Sequence, residues 1–203
     1  KDMEIIKEAL TFDDVTLAPN YSKVLPSEVN TTTHLSKNLS LKIPLLTSAM
    51  DTVTESKMAI TMAELGGIGV IHRNLTIDQQ ISEIRKVKAK KHLVGAAVGA
   101  SPQEHKRAEK ILKENLDLIV VDTAHGHTKK VGEIIKKIKK IKPKKTTLCA
   151  GNIATAEAAK YLIKLGVDII KVGIGPGSIC TTRLVAGIGV PQLSAILNVK
   201  KGM

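Results

Sequence analysis

The side chains able to do covalent or acid–base chemistry are unevenly spread along this chain, and the densest group is Lys171-Val-Gly-Ile-Gly-Pro-Gly-Ser-Ile-Cys-Thr-Thr-Arg183. Three glycines, Gly173, Gly175 and Gly177, occur at alternate positions after an aliphatic run. Glycine allows positive φ and close backbone approach to a ligand. Such a loop can aim amides at an anion or carbonyls at a cation. Cys180 stands at the far end of the loop, flanked by the hydroxyls of Ser178, Thr181 and Thr182 and by Arg183. A neighbouring cation lowers a thiol pKa and supplies thiolate, so the pattern suits nucleophilic catalysis. A free cysteine is also a common small buried hydrophobe. The position of Cys180 in a loop, beyond the aliphatic run, favours the nucleophile. A dinucleotide fingerprint is excluded at this place, because G-x-G-x-x-G needs glycine where Ser178 stands.

Three further clusters carry polar chemistry. Asp122-Thr-Ala-His-Gly-His127 brings a carboxylate and two imidazoles together. These are metal-ligand types, but no third strong ligand is offered at suitable spacing. The carboxylate reads better as an acceptor for a sugar hydroxyl, and Asp122 or Thr123 as a helix N-cap is the plainer alternative. In Ser48-Ala-Met-Asp-Thr-Val-Thr54, Thr52 or Thr54 is a candidate cap for a helix beginning near Glu55. Asn152 follows another aliphatic run, and Cys149 lies inside that run, where packing is the expected role.

The elements that position these clusters alternate regularly. Short aliphatic runs at residues 43–47, 68–71, 93–98, 118–121, 147–150 and 169–172 read as strands. Helical periodicity follows at 55–65, 77–88, 102–115, 129–141 and 154–165, with a sixth helix starting at Pro191. Strand–helix units in series mean a parallel sheet with helical crossovers. An open doubly wound sheet would gather its site at one switch point. Here almost every strand ends in a polar or glycine-rich tip, which favours a (β/α)8 barrel with its site at the C-terminal strand ends. Six of eight units are present in 203 residues, against the roughly 250 of a whole barrel, so the chain reads as one partial catalytic domain spanning 1–203.

Composition narrows the function classes. Hydrophobic residues make up 43% and charged residues 25%, an ordinary globular balance, while aromatics are only 1%. Valine, isoleucine, leucine and alanine must therefore build the core, as buried parallel strands require. No apolar run is long enough to span a bilayer and no secretory leader pattern opens the chain. Two cysteines do not make a disulfide framework, so a cytoplasmic setting is expected. The net charge of +12 invites a nucleic-acid reading. The basic residues are nearly all lysines, however, and many fall between Lys129 and Lys145 at helical spacing beside Ile134, Ile135, Ile138 and Ile141. That is the outer face of an amphipathic helix, and the aromatic platform of a single-strand binder is missing.

With these residues in view, the chain resembles the IMP dehydrogenase and GMP reductase family. The likeness is carried by Leu10-Thr-Phe-Asp-Asp14, Val24-Leu-Pro-Ser27, Ser48-Ala-Met-Asp-Thr-Val-Thr-Glu55, Gly66-Gly-Ile-Gly69 with Ile71-His72, Asp122 to His127, Ala150-Gly-Asn152 and Gly173 to Arg183. It covers the chain to about Asn198 and favours the dehydrogenase branch over the NADPH-dependent reductase. The resemblance implies that Cys180 attacks C2 of IMP, that NAD is reduced, and that water releases XMP from a covalent thioimidate. It implies that Thr182 helps position the thioimidate or the water. Ser178 would meet the IMP phosphate, Ser48 and Met50 the ribose and base, and Asn152 the substrate. Asp122, Thr123 and Ala124 would border the NAD site together with Gly173, Ile174 and Gly175. Backbone carbonyls of Gly175, Gly177 and Cys180 would hold a potassium ion. A homotetramer is implied as well. The family's paired CBS modules, expected near residues 86–92, have no counterpart there, nor do its later phosphate motif, flap and catalytic arginine anywhere in the sequence. A non-catalytic nucleotide-binding fragment is therefore the alternative for the chain by itself.

Overall fold

Aliphatic runs bounded by glycine, proline and polar residues pair in the order in which they occur. The computed structural model describes residues 8–178 and 180–203. An antiparallel hairpin, β1 (Thr33–Ser36) and β2 (Leu39–Leu41), comes first. Six strands then form one wholly parallel sheet: β3 (Leu46–Thr47), β4 (Ile68–Ile71), β5 (Val94–Val98), β6 (Leu118–Asp122), β7 (Thr147–Ile153) and β8 (Ile169–Val172). Their spatial order is their sequence order, without a reversal, as in a barrel and unlike a doubly wound sheet. The sheet curls. Its two edge strands, β3 and β8, line one concavity of about 310 Å³, with Leu46 and Ala49 on one side and Ile169 and Val172 on the other.

The connecting helices are α1 (Ser56–Glu64), α2 (Ile77–Ala89), α3 (Pro102–Ile111), α4 (Lys129–Ile141) and α5 (Ala156–Lys164). A short α6 (Thr181–Ala186) and α7 (Gln192–Lys200) follow β8. Outward strand residues Ile71, Val94, Val98, Ile119, Val121, Leu148 and Ala150 pack against the buried helix residues in one layer. Inward residues Ile68, Val70, Ala97, Leu118, Val120 and Cys149 form a second, and Leu39 and Leu41 of the hairpin join that inner layer. The hairpin is tied to the sheet by Ser36 Oγ at 2.7 Å from Thr147 Oγ1 and by Asn38 Nδ2 donating to Lys144 O at 2.9 Å. Thr147 opens β7, so the hairpin plugs the N-terminal end of the curled sheet. The other end carries the strand tips.

The expected units are present, with corrections at their ends. The run 43–47 keeps only its last two residues as strand. Pro44 lacks a donor, and Lys42 and Ile43 give their amides to Gly66 O instead. The helix expected over 102–115 ends at Ile111 in a 3-10 turn, and Asn115 leaves it at φ 56. Pro191 is the N-cap of α7 and not its first residue. The β1–β2 hairpin and α6 are additions, since three- to six-residue elements are too short to show a period. The α2–β5 turn runs directly through Lys90 and Lys91, the latter at φ 60, into Val94.

If the plug is a working part of the core, Leu39→Ala should cost about 2–5 kcal/mol. In a urea titration the midpoint should fall with the slope unchanged.

Candidate active site

Every polar cluster singled out from the sequence lies at the C-terminal ends of the sheet strands. Ser48 and Met50 follow β3, Asp122 ends β6 with Thr123 and Ala124 after it, Asn152 is the penultimate residue of β7, and the glycine loop to Cys180 follows β8. The tips are bonded to one another. Thr123 N–H and its hydroxyl both donate to Gly151 O, at 3.1 and 2.7 Å, and Asn152 N–H donates to Thr123 O at 2.8 Å. Asn152 Nδ2 donates to Gly173 O at 2.8 Å, which ties β7 to the start of the glycine loop. Asp51 Oδ2 accepts from Asn74 Nδ2 at 3.0 Å, joining the tips of β3 and β4. A recess of about 410 Å³ opens among Ala49, Met50, Asp51, His72, Arg73, Asn74 and Asp122.

Sequence reasoning missed the partner of Asp122. The parallel register aligns Asp122, Gly151 and Lys171 in one row across β6, β7 and β8. Lys171 Nζ reaches across the middle strand to Asp122 Oδ1 at 2.8 Å. Gly151 lets β7 and β8 lie close in this row, because a Cβ there would meet the Lys171 carbonyl oxygen and lie 2.7 Å from Lys171 Cβ. The signal was present in the sequence as a lone charge inside Ile169-Ile-Lys-Val172. The role of His72, named above only as part of the family likeness, was missed too. Its Nδ1 accepts from Asn74 N–H at 3.1 Å, so Nε2 carries the proton and donates to Glu55 Oε1, also at 3.1 Å. The ring is 3% exposed and locks the β4 tip to the start of α1.

The capping roles expected from the sequence fall elsewhere. Glu55 is the N-cap of α1 and makes no capping bond, while Thr54 Oγ1 donates to Ser48 O at 2.6 Å and closes the 48–54 turn. Thr128 caps α4 by accepting from Val131 N–H, which leaves Asp122 and Thr123 to their tertiary partners. Among the described residues no three His, Cys, Asp or Glu side chains gather as a metal cluster, and Asp122, His125 and His127 do not converge on one point. His127 instead lies against Tyr161, with centroids 5.0 Å apart.

The loop after β8 is held from behind by the segment that leads into α7. Val190 N–H donates to Ile174 O at 2.9 Å, and Gln192 Nε2 donates to Val172 O at 3.1 Å. Gly175, at φ +58, has no room for a side chain, since a Cβ would sit 2.7 Å from Ile188 O. Ser178 and Gly177 are exposed, and Cys180 is half-buried as the N-cap of α6. The Arg183 amide facing its sulfur, with the amide and hydroxyl of Thr182, holds the thiol below its ordinary value against the opposing effect of burial. No full capping bond is closed. The charge of Arg183, expected from the sequence to be the cause, contributes least. Its stem packs by Gly175 and Gly189. Cys149 is the contrast: burial pushes its thiol up to about 12, as its packing role requires. Ile179 lies outside the described residues. Among the described residues no hydrogen bond or ion pair joins Cys180 to Ser48, Met50 or Asp122, so common placement at one end of the sheet is what gathers them.

The family model described as "IMP dehydrogenase / GMP reductase domain" matches residues 9–203. An inosine-5'-monophosphate dehydrogenase of Borreliella burgdorferi is 48% identical over 246 aligned residues, covering 97% of this chain and 61% of the relative. One from Cryptosporidium parvum is 46% identical, covering 94% of this chain and 58% of the relative. One from Aquifex aeolicus is 34% identical, covering 95% and 65%. The chain thus spans about three-fifths of the length of the relatives it matches.

Two outcomes are expected from this geometry. Iodoacetamide should label Cys180 in the native protein with a rate–pH midpoint below that of a free thiol, while Cys149 stays unlabelled until the chain is unfolded; peptide mapping reads both. Gly151→Ala should destabilise by about 1–3 kcal/mol, by forcing apart the row that carries Lys171, and thermal melting would measure it.

Proposed function

The chain belongs to the IMP dehydrogenase / GMP reductase family, and on that footing we propose that it supplies the nucleophile-bearing part of an enzyme that oxidises IMP to XMP with reduction of NAD. The observation that carries the reading is Cys180. It is a thiol of lowered pKa at the start of a helix, presented by a glycine loop at the C-terminal face of the curled sheet. A thiolate there adds to C2 of the purine. The C2 hydrogen leaves with its electron pair, and a C2–S thioimidate remains on Cys180. Water then adds to C2, the C–S bond breaks, the thiolate is regenerated, and XMP departs with release of a proton.

The remaining roles are those the family resemblance implies, and the shared end of the sheet supports them. Thr182, whose hydroxyl faces the Cys180 sulfur, orients the thioimidate or the attacking water. Ser178, exposed on the loop, meets the phosphate of IMP, and Ser48, Met50 and Asn152 border its ribose and base. Asp122, Thr123 and Ala124 border the dinucleotide together with Gly173, Ile174 and Gly175. NAD, when bound, supplies the two-electron acceptor. The open recess beside Asp122 and the carboxylate's unshared oxygen suit a ribose.

The same reading assigns a potassium ion to the backbone carbonyls of Gly175, Gly177 and Cys180. Gly177 O and Cys180 O each accept one amide, from Cys180 and Leu184, and each keeps a second lone pair. Such neutral oxygens suit a large monovalent cation, which would fix the direction of the loop. The same reading carries a homotetramer and a cytoplasmic setting, and Leu184 and Val185 on α6, 68% and 87% exposed, offer apolar surface to a partner. No helix among the described residues is long and apolar enough to cross a membrane. The names of the relatives favour the dehydrogenase over the NADPH-dependent reductase.

The test is mass spectrometry of protein incubated with IMP and NAD and then digested. A purine adduct on the Cys180 peptide, lost in Cys180→Ala, is the expected result. Its absence both from this chain and from a full-length enzyme would overturn the mechanism, and an adduct formed only at full length would mean that the rest of the barrel completes the site.

A further inference from the structure

The ion pair between Lys171 and Asp122 has a one-sided geometry. Lys171 holds Oδ1 at 2.8 Å, and Oδ2 makes no hydrogen bond among the described residues. The same carboxylate lines the recess of about 410 Å³ at the strand tips, whereas Lys171 lines the concavity inside the curled sheet. Both side chains are partly exposed, 38% for Lys171 and 26% for Asp122. A lysine ammonium is a point charge that bonds one carboxylate oxygen at a time and leaves the second available. Here Lys171 holds Oδ1, while Oδ2 has no hydrogen bond among the described residues and Asp122 lines the open recess. The approach is also built in. Lys171 reaches across a whole strand, and the strand between carries glycine in the same row, where a Cβ would meet the Lys171 carbonyl oxygen and lie 2.7 Å from Lys171 Cβ.

We propose that Lys171 is a positioning residue: it fixes the rotation of the Asp122 carboxylate so that Oδ2 is presented to a vicinal diol, the ribose hydroxyls of the dinucleotide. This rests on the NAD reading above and adds to it a residue that acts only through Asp122. An unclamped aspartate at a strand tip rotates freely and must be ordered when the ligand binds. The clamp removes that cost beforehand, so its effect belongs to dinucleotide affinity and not to the purine.

The test uses the full-length enzyme with Lys171→Met, Lys171→Arg, Asp122→Asn and the double variant. NAD affinity is read by calorimetry beside the KM values for both substrates. Lys171→Met should weaken NAD binding about tenfold or more while the KM for IMP stays within about twofold, and Lys171→Arg should recover most of the loss. The double variant should be no weaker than Asp122→Asn alone, because the lysine has nothing left to position. NAD affinity indifferent to Lys171→Met, or equal losses for IMP and NAD, or additive losses in the double variant, would overturn the proposal and leave the pair structural. If Lys171→Met does not fold by circular dichroism, Lys171→Gln takes its place, with a loss of about threefold or more expected. Should the unaltered enzyme bind no NAD, the dinucleotide reading falls and this proposal with it; NAD binding that ignores Lys171 sinks this proposal alone.

Discussion

Parallel strands cannot be joined by a hairpin, and this constraint governs the molecule. Each chain reversal needs a crossover, here a helix on the outer face of the sheet, so every strand of the sheet points the same way. The polar tips are then delivered to one end whatever their spacing in sequence. Asp122 and Lys171 are 49 residues apart and still meet at 2.8 Å. The glycine loop, the Asp122 tip and the Ser48 turn share an end for the same reason. The opposite end is left to packing, and the hairpin leucines fill it.

The parts of this arrangement that were legible in the sequence are those set by local periodicity. The run Ile68–Ile71 and the helix Lys129–Ile141 match their expected bounds, because an aliphatic run and an amphipathic stripe are each readable over a few residues. Capping was less legible. Thr54, Asp122 and Thr123 all had the right chemistry to cap a helix, but each found a partner brought in by the turn or the sheet: Ser48 O, Lys171 Nζ and Gly151 O. Sequence distance hides those partners. The Lys171 pair requires the register across three strands, and a charge inside an aliphatic run says only that some partner must exist.

The two thiols show how environment separates identical chemistry. Cys149 faces the inner apolar layer at 6% exposure, and burial raises its pKa until the thiol is inert. Cys180 stands where the first amides of a six-residue helix face its sulfur. Backbone amides of Thr182 and Arg183, with the Thr182 hydroxyl, do there most of what the sequence suggested the Arg183 charge would do.

The hairpin plug bears on the order of assembly. The strand pairs of the sheet join neighbours in sequence, so the sheet can grow one unit at a time with short loops to close. Ser36 and Thr147 are 111 residues apart, and Asn38 and Lys144 are 106 apart. These bonds have no partner until β7 is in place. The plug is therefore a clasp: it joins the hairpin that precedes the sheet to the sheet's fifth strand and converts a chain of neighbour contacts, which could fray from either edge, into a unit that opens cooperatively.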